Sequence, residues 1–168
     1  QILSLQNIVI QSAVIQIGEE RSEGFSDEKM LEILQKVKNE NDTVGAVVRV
    51  EINNLPIGVG EPYFRKLQAM LAHAMFSINA VKGFEFGDGF KSASMLGSQS
   101  NDIFINDNGT IRTVTNHSGG IQGGISNGEA VFFNVAFKAI PTIMQKQNTV
   151  DVDGNEVIYN IEGRHDVC

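Results

Sequence analysis

Residues 116–128 read NHSGGIQGGISNG, and five of these thirteen are glycine. A backbone this free of side chains can approach a ligand closely and adopt positive φ. Its exposed amides would form a concavity suited to phosphate or another anion. The same composition also suits a flexible surface loop. Two features further along favour a ligand. Lys138 stands in a largely apolar stretch, where an ammonium must reach solvent, a carboxylate or an anionic ligand. Residues 163–166 read GRHD. Here Arg164 offers a planar fork to phosphate or carboxylate, while His165 and Asp166 can move protons. A solvated, mutually paired surface turn would have the same composition as this last cluster.

Three more polar clusters lie upstream: SINAVKG at 77–83, GDGF at 87–90 and GSQSND at 97–102. Other chemistries find little support. No Gly-Lys-Ser/Thr follows the glycine-rich run, and strand-like rather than helical sequence follows Gly128, so neither a P-loop nor a dinucleotide fingerprint is expected. Three histidines and one terminal cysteine offer no zinc spacing, and no metal is expected. The turn NDNGTIRTV lacks the ligand ladder of an EF-hand, and no hydrolase triad is expected.

These clusters need a frame. Residues 8–17 (IVIQSAVIQI) have the β-branched composition of a strand buried on both faces. Ser26 offers an N-cap, with Asp27 and Glu28 in the first turn. Met30, Ile33, Leu34 and Val37 then repeat at helical spacing to about Asn39. Over 44–53, Val48, Val50 and Ile52 alternate with Arg49, Glu51 and Asn53, which predicts a half-buried strand. Glu61-Pro62 predicts the start of a second helix, with Phe64, Leu67, Leu71, Ala74 and Ile78 as its core stripe and His73 off it. Beyond Lys82 the helical period disappears. GFEFGDGF, IFI, IRTVT and AVFFNVAFKAI read as strands, the last an interior one. Asp107-Asn108-Gly109 and Asp153-Gly154 mark hairpin turns. The fold class expected is α+β, with largely antiparallel sheets and packed helices.

With 168 residues, one domain over 1–168 is the expectation, and the chain is long enough to bury a core without disulfides or metals. Hydrophobic residues make up 42% and charged residues 20%, as in an ordinary soluble globular protein. A net charge of −7 argues against nucleic acid as a partner, so local cations must hold any anionic substrate. The lone Cys168 excludes an internal disulfide and fits a reducing, cytoplasmic setting; at the last position it reads as incidental. No apolar run reaches membrane-spanning length, and no signal segment opens the chain. Beginning at Gln1 and stopping just after GRHD, the sequence reads as a fragment of a longer chain.

Taken in order, SINAVKGFEFGDGF, GSQSND, NHSGGIQGGISNGE and GRHD resemble the central and C-terminal signature of the chorismate synthase family, over nearly the whole chain from Ser12. The resemblance implies that family's β-α-β sandwich and a lyase reaction, the 1,4-elimination of phosphate from 5-enolpyruvylshikimate 3-phosphate to give chorismate. It also implies reduced FMN as cofactor and a homotetramer as assembly. By motif position it implies that Asn79 and Ala80 contact FMN and that Gly123 approaches it by backbone. Lys138, Ala139, Ile140, Pro141 and Thr142 match a further flavin-contacting stretch, although the family often has Lys-Pro-Thr-Ser-Ser there. Arg164 matches a cofactor-contacting arginine, and Asp166 a proton relay at the flavin nitrogen. The position of His165 is variable in the family.

Three family segments are absent from these 168 residues: Gly-x-Ser-His-Gly, an Arg-Pro-x-His-Ala-Asp-type motif and an Arg-Ser/Ala-Ser stretch. They supply two acid–base histidines and much of the phosphate-binding arginine set, and nothing assigns those roles to His73 or His117. Deficient activity of the isolated chain is therefore expected. Two further readings stand beside the enzymatic one: a non-catalytic FMN- or phosphate-binding module, and an inactive structural fragment.

Overall fold

A computed structural model describes residues 7–22, 28–161, 163 and 166–168. It divides into two compact units: Gln1–Ala13 with Val48–Ala136, and Val14–Val47 with Phe137–Cys168. The strands are β1 (Val9–Ile17), β2 (Glu20–Arg21), β3 (Ala46–Asn53), β4 (Val81–Phe86), β5 (Phe104–Asp107), β6 (Thr110–Thr113), β7 (Ile121–Gln122), β8 (Ile125–Ser126), β9 (Val131–Phe137), β10 (Gln147–Val150) and β11 (Glu156–Tyr159). The helices are α1 (Glu28–Asn39), α2 (Leu67–Phe76) and the single turn α3 (Gly97–Ser100). Five strands form one sheet in the order β2-β1-β3-β9-β4, and three two-stranded hairpins pair β5 with β6, β7 with β8 and β10 with β11. The pairings β1·β2, β5·β6, β7·β8 and β10·β11 are antiparallel. The chain is α+β, as the sequence patterning implies. No helix among the described residues is long and apolar enough to cross a membrane.

In the first unit the core is built on β9. Val131, Phe133 and Val135 alternate inward and are buried, as period-two side chains on one face must be. Phe84 of β4 meets Phe133 with ring centroids 5.2 Å apart, a favourable aromatic separation. On the other face of β9 the Arg49 guanidinium stands 4.2 Å over the Phe132 ring, which gives a charged side chain of β3 an apolar partner.

The second helix starts later than its sequence suggests. It begins at Leu67 after a turn in which Glu61 N donates to Arg65 O at 3.1 Å. Phe64, assigned above to the core stripe, is 100% exposed. The cause is tertiary. A Cβ on Gly60 would lie 2.4 Å from Gly124 O, and Leu67 N donates to that same carbonyl at 2.8 Å. The chain is thus tied to the glycine-rich run before it can wind. None of the residues of α2 is buried.

In the second unit, Ile17, Met30 and Ala46 form a small core with Ile33, Leu34 and Val44 packed against it. This is the stripe read for α1; its N-cap candidate Ser26, with Asp27, lies outside the described residues. Strand β1 departs from expectation. Val9, Ile10 and Val14 are exposed, and only Ile17 at its end is buried. β-Branched composition reports a preference for extended backbone; whether both faces are covered depends on neighbours that local sequence does not encode. GDGF also differs, leading from β4 into a 3₁₀ turn at Gly89–Ser94 rather than continuing as strand.

Candidate functional site

The glycine-rich run is not a flexible surface loop. It is packed and internally bonded: Gly119, Gly120, Ile121, Gly124 and Ser126 are buried. Asn116 Oδ1 accepts from Gly120 N at 2.6 Å, and its Nδ2 donates to Ala130 O at 2.8 Å. Nor do its first amides wait for an external anion. Asp102, only 4% exposed, receives His117 N and Thr115 Oγ1 on Oδ1 at 2.8 and 2.7 Å. On Oδ2 it receives Ser118 N at 2.9 Å and Ser118 Oγ at 2.6 Å. The concavity expected to bind an outside anion holds this carboxylate instead. Burial alone would raise the Asp102 pKa, but the Ser118 hydroxyl and amide, with Thr115 and His117, outweigh it and hold the group below its ordinary value.

His117 Nδ1 lies 2.7 Å from Asp88 Oδ2. His117 borders a cavity of about 520 Å³ walled by Phe84, Phe86, Phe90 and Ile121. Residues 124–128, Gly-Ile-Ser-Asn-Gly, have the spacing of a hydrolase nucleophile elbow, but Ser126 is structural. It is 2% exposed, its hydroxyl donates to Pro56 O at 2.6 Å and accepts from Val59 N at 2.9 Å, and it sits in a hairpin strand rather than a strand-to-helix turn.

Two implied flavin contacts in this unit have unusual backbones. Gly123 and Gly124, with φ of 61° and 94°, form the two-residue turn between β7 and β8. Such turns need positive φ at both positions. Their surroundings differ. A Cβ on Gly124 would lie 2.6 Å from the Lys66 side chain, whereas one on Gly123 would meet nothing within 4 Å. Gly123 therefore presents bare, open backbone. Asn79 and Ala80 close the turn between α2 and β4, with the Asn79 side chain exposed. Ala80 has φ of 68°, a conformation costing a non-glycine residue roughly 1–2 kcal/mol. Strain of this kind gathers at functional sites.

The second unit carries the remaining described candidates and brings two stretches together. Strand β9 ends at Phe137, so Lys138 lies just beyond it, exposed, and makes no ion pair among the described residues. Thr142 and Asp166 line one cavity of about 50 Å³ with Lys38, Asn41, Asp42 and Thr43. That volume suits about one water molecule; ligand pockets commonly span roughly 300–1,000 Å³. Arg164 and His165 lie outside the described residues.

Each unit by itself offers groups of the kinds that a flavin nucleotide uses. In the first unit Gly123 gives open backbone for the close approach of a flat ring and Asn79 an exposed amide; in the second, Lys138 is an exposed cation without an ion pair among the described residues. The cavity between Thr142 and Asp166 is too small for the ring and suits water beside the carboxylate.

Sequence reading overlooked one element here. Thr43 Oγ1 donates to Ile140 O at 2.6 Å, Val44 N donates to Val167 O at 2.9 Å, and a Cβ on Gly45 would lie 2.7 Å from Phe137 O. The only local signal is a glycine at the entry to β3. Nothing in it points to residue 140, ninety-seven positions away.

A family model described as chorismate synthase matches residues 1–168. Chorismate synthase of Parabacteroides distasonis is 53% identical over 140 residues, covering 83% of this chain and 39% of its own. That of Methylacidiphilum infernorum is 53% identical over 138 residues, covering 82% and 38%. A solved structure titled as chorismate synthase superimposes with a TM-score of 0.77 at 31% identity, covering 83% of this chain and 52% of that one. The chain belongs to the chorismate synthase family. It spans about two fifths of the length of the curated relatives it matches.

Proposed function

We propose that this chain carries part of the flavin and substrate site of a chorismate synthase, a lyase that eliminates phosphate from 5-enolpyruvylshikimate 3-phosphate to give chorismate. The observation that carries this reading is the family match over residues 1–168. Bound reduced FMN would supply an electron-rich ring that assists phosphate departure and takes up the hydrogen lost from ring carbon C6. The protein's part is orientation, charge neutralisation and proton handling.

In this reading Gly123 and Ala80 offer backbone against the flavin, and the Asn79 amide fixes its edge. Lys138 and Arg164 neutralise the anionic groups of cofactor or substrate, which a chain of net charge −7 must do locally. Ala139, Ile140 and Pro141 carry Thr142 and its hydroxyl into place, where the local sequence keeps fewer hydroxyls than the family often has. Asp166 takes the proton that originates at C6 and passes it to water in the adjoining cavity, as a carboxylate within hydrogen-bond reach can. The working protein is read as a single-domain segment within a longer, cytoplasmic, homotetrameric enzyme, in keeping with its family and its lone cysteine.

Titration of FMN into the chain, with and without 5-enolpyruvylshikimate 3-phosphate, tests this by flavin fluorescence. Saturable binding that tightens with substrate is expected. Absence of binding in both arms would remove the flavin site from these residues.

A further inference from the structure

We infer that Thr43, Val44 and Gly45 form a positioning clamp that sets the flavin-contacting stretch Lys138–Thr142 in register with Asp166. The inference rests on the flavin reading above and adds three residues that no motif singles out.

The three neighbours reach the two stretches in different ways. Thr43 Oγ1 donates to Ile140 O at 2.6 Å, which fixes the middle of the first stretch by a carbonyl. Val44 N donates to Val167 O at 2.9 Å, which fixes the residue next to Asp166. Gly45 acts by having no side chain. A Cβ there would lie 2.7 Å from Phe137 O and 3.3 Å from Ala139 N, so the strand entry and the start of the first stretch can be this close only with glycine. Thr43 also lines the small cavity shared by Thr142 and Asp166.

Such a device is needed here for a physical reason. Residues 138–146 lie between β9 and β10 outside any helix or strand, so no ladder of backbone hydrogen bonds fixes Lys138 or Thr142. A site held more loosely by even about 1 Å loses much of its effect. The clamp restores the fixation from a neighbouring turn, whose own shape is set by Asp42 N bonding Val37 O at 3.1 Å and Thr43 N bonding Asp42 Oδ1 at 2.8 Å.

The test compares the chain with Thr43→Val, which keeps shape and loses the donor, and Thr43→Ser, which keeps the donor. FMN affinity is read by flavin fluorescence, and amide hydrogen exchange is followed at Ala139, Ile140, Ile143 and Val167. Thr43→Val is expected to weaken FMN binding about tenfold and speed exchange at those four amides, leaving exchange in β4 and β9 unchanged. Thr43→Ser is expected to restore both within twofold. Wild-type affinity in Thr43→Val, or failure of Thr43→Ser to rescue, would overturn the clamp. Should the wild-type chain bind no FMN, the flavin reading fails by itself. The clamp then stands if exchange speeds at the four amides in Thr43→Val and falls if it does not.

Discussion

Ser118 gives Asp102 both of its donors, backbone N at 2.9 Å and hydroxyl at 2.6 Å, on one carboxylate oxygen. With the amide of His117 on the other oxygen, the turn that opens the glycine-rich run is wrapped around an internal anion. Two consecutive amides aimed at one carboxylate form the kind of concavity that elsewhere holds phosphate. Here it makes the run a rigid support for the Gly123 turn.

Asp102→Asn should therefore cost about 2–3 kcal/mol in urea denaturation at neutral pH, because a carboxamide cannot accept from all four donors and leaves buried groups unsatisfied. The sign of the pH dependence follows from the depressed folded-state pKa. The Asp102 contribution is fully present above the unfolded value and is lost as pH falls through the folded one, below the ordinary 3.8. The gap between wild type and variant should accordingly narrow in acid below about pH 4. A gap that is the same at pH 3 and pH 7 would show that folding does not lower the Asp102 pKa.

Two glycines of positive φ separate conformational need from packing. At Gly87, with φ of +57°, a Cβ would lie 2.2 Å from His117 O and 2.7 Å from Gly119 N. Gly123, with φ of +61°, faces open space. Gly123→Ala should cost only the left-handed penalty, about 1–2 kcal/mol, yet weaken FMN binding severalfold because the methyl covers the bare backbone. Gly87→Ala must also push two backbones apart and should lose well over that amount in thermal denaturation. Equal stability losses in the two variants would refute the distinction.

Much of the frame was legible from local pattern, and the exceptions share a cause. The stripe Met30, Ile33 and Leu34 and the turn Asn108-Gly109 lie where period and turn chemistry put them, because each depends on residues within a few positions. Phe64 falls outside the helix and its stripe because the close approach of Gly60 to Gly124 stops the helix from starting earlier. The exposure of Val9 and Ile10 has no local signal, because strand composition does not say which faces are covered. In the candidate site, the open turn at Gly123 follows from the glycine pair itself. The bond from Thr43 to Ile140 has no local trace and emerges only from the folded chain.

Lys138 gives a charge test. It is exposed, so its attraction for a phosphate should be modest and screened by salt. Lys138→Met should weaken FMN binding roughly tenfold at low ionic strength, and the difference should shrink toward 0.5 M salt. Binding of riboflavin, which lacks the phosphate, should change little. A variant that loses riboflavin and FMN equally would place the lysine at the ring rather than at the phosphate.

Asp166 separates holding the flavin from moving a proton. Asp166→Asn keeps size and most hydrogen bonding but removes the basic carboxylate beside the small cavity it shares with Thr142. General base catalysis commonly contributes about 10²–10⁴-fold. In anaerobic preparations with reduced FMN that release phosphate from 5-enolpyruvylshikimate 3-phosphate, the variant should lose at least about a hundredfold in rate. Its FMN affinity should stay within twofold of wild type, because the side chain is exposed and the carboxamide fills the same space. Parallel loss of affinity and rate would move Asp166 from proton transfer to cofactor binding. An unchanged rate would hand the proton to another group, and the neighbouring Asp42 of the same cavity would be the next residue to replace.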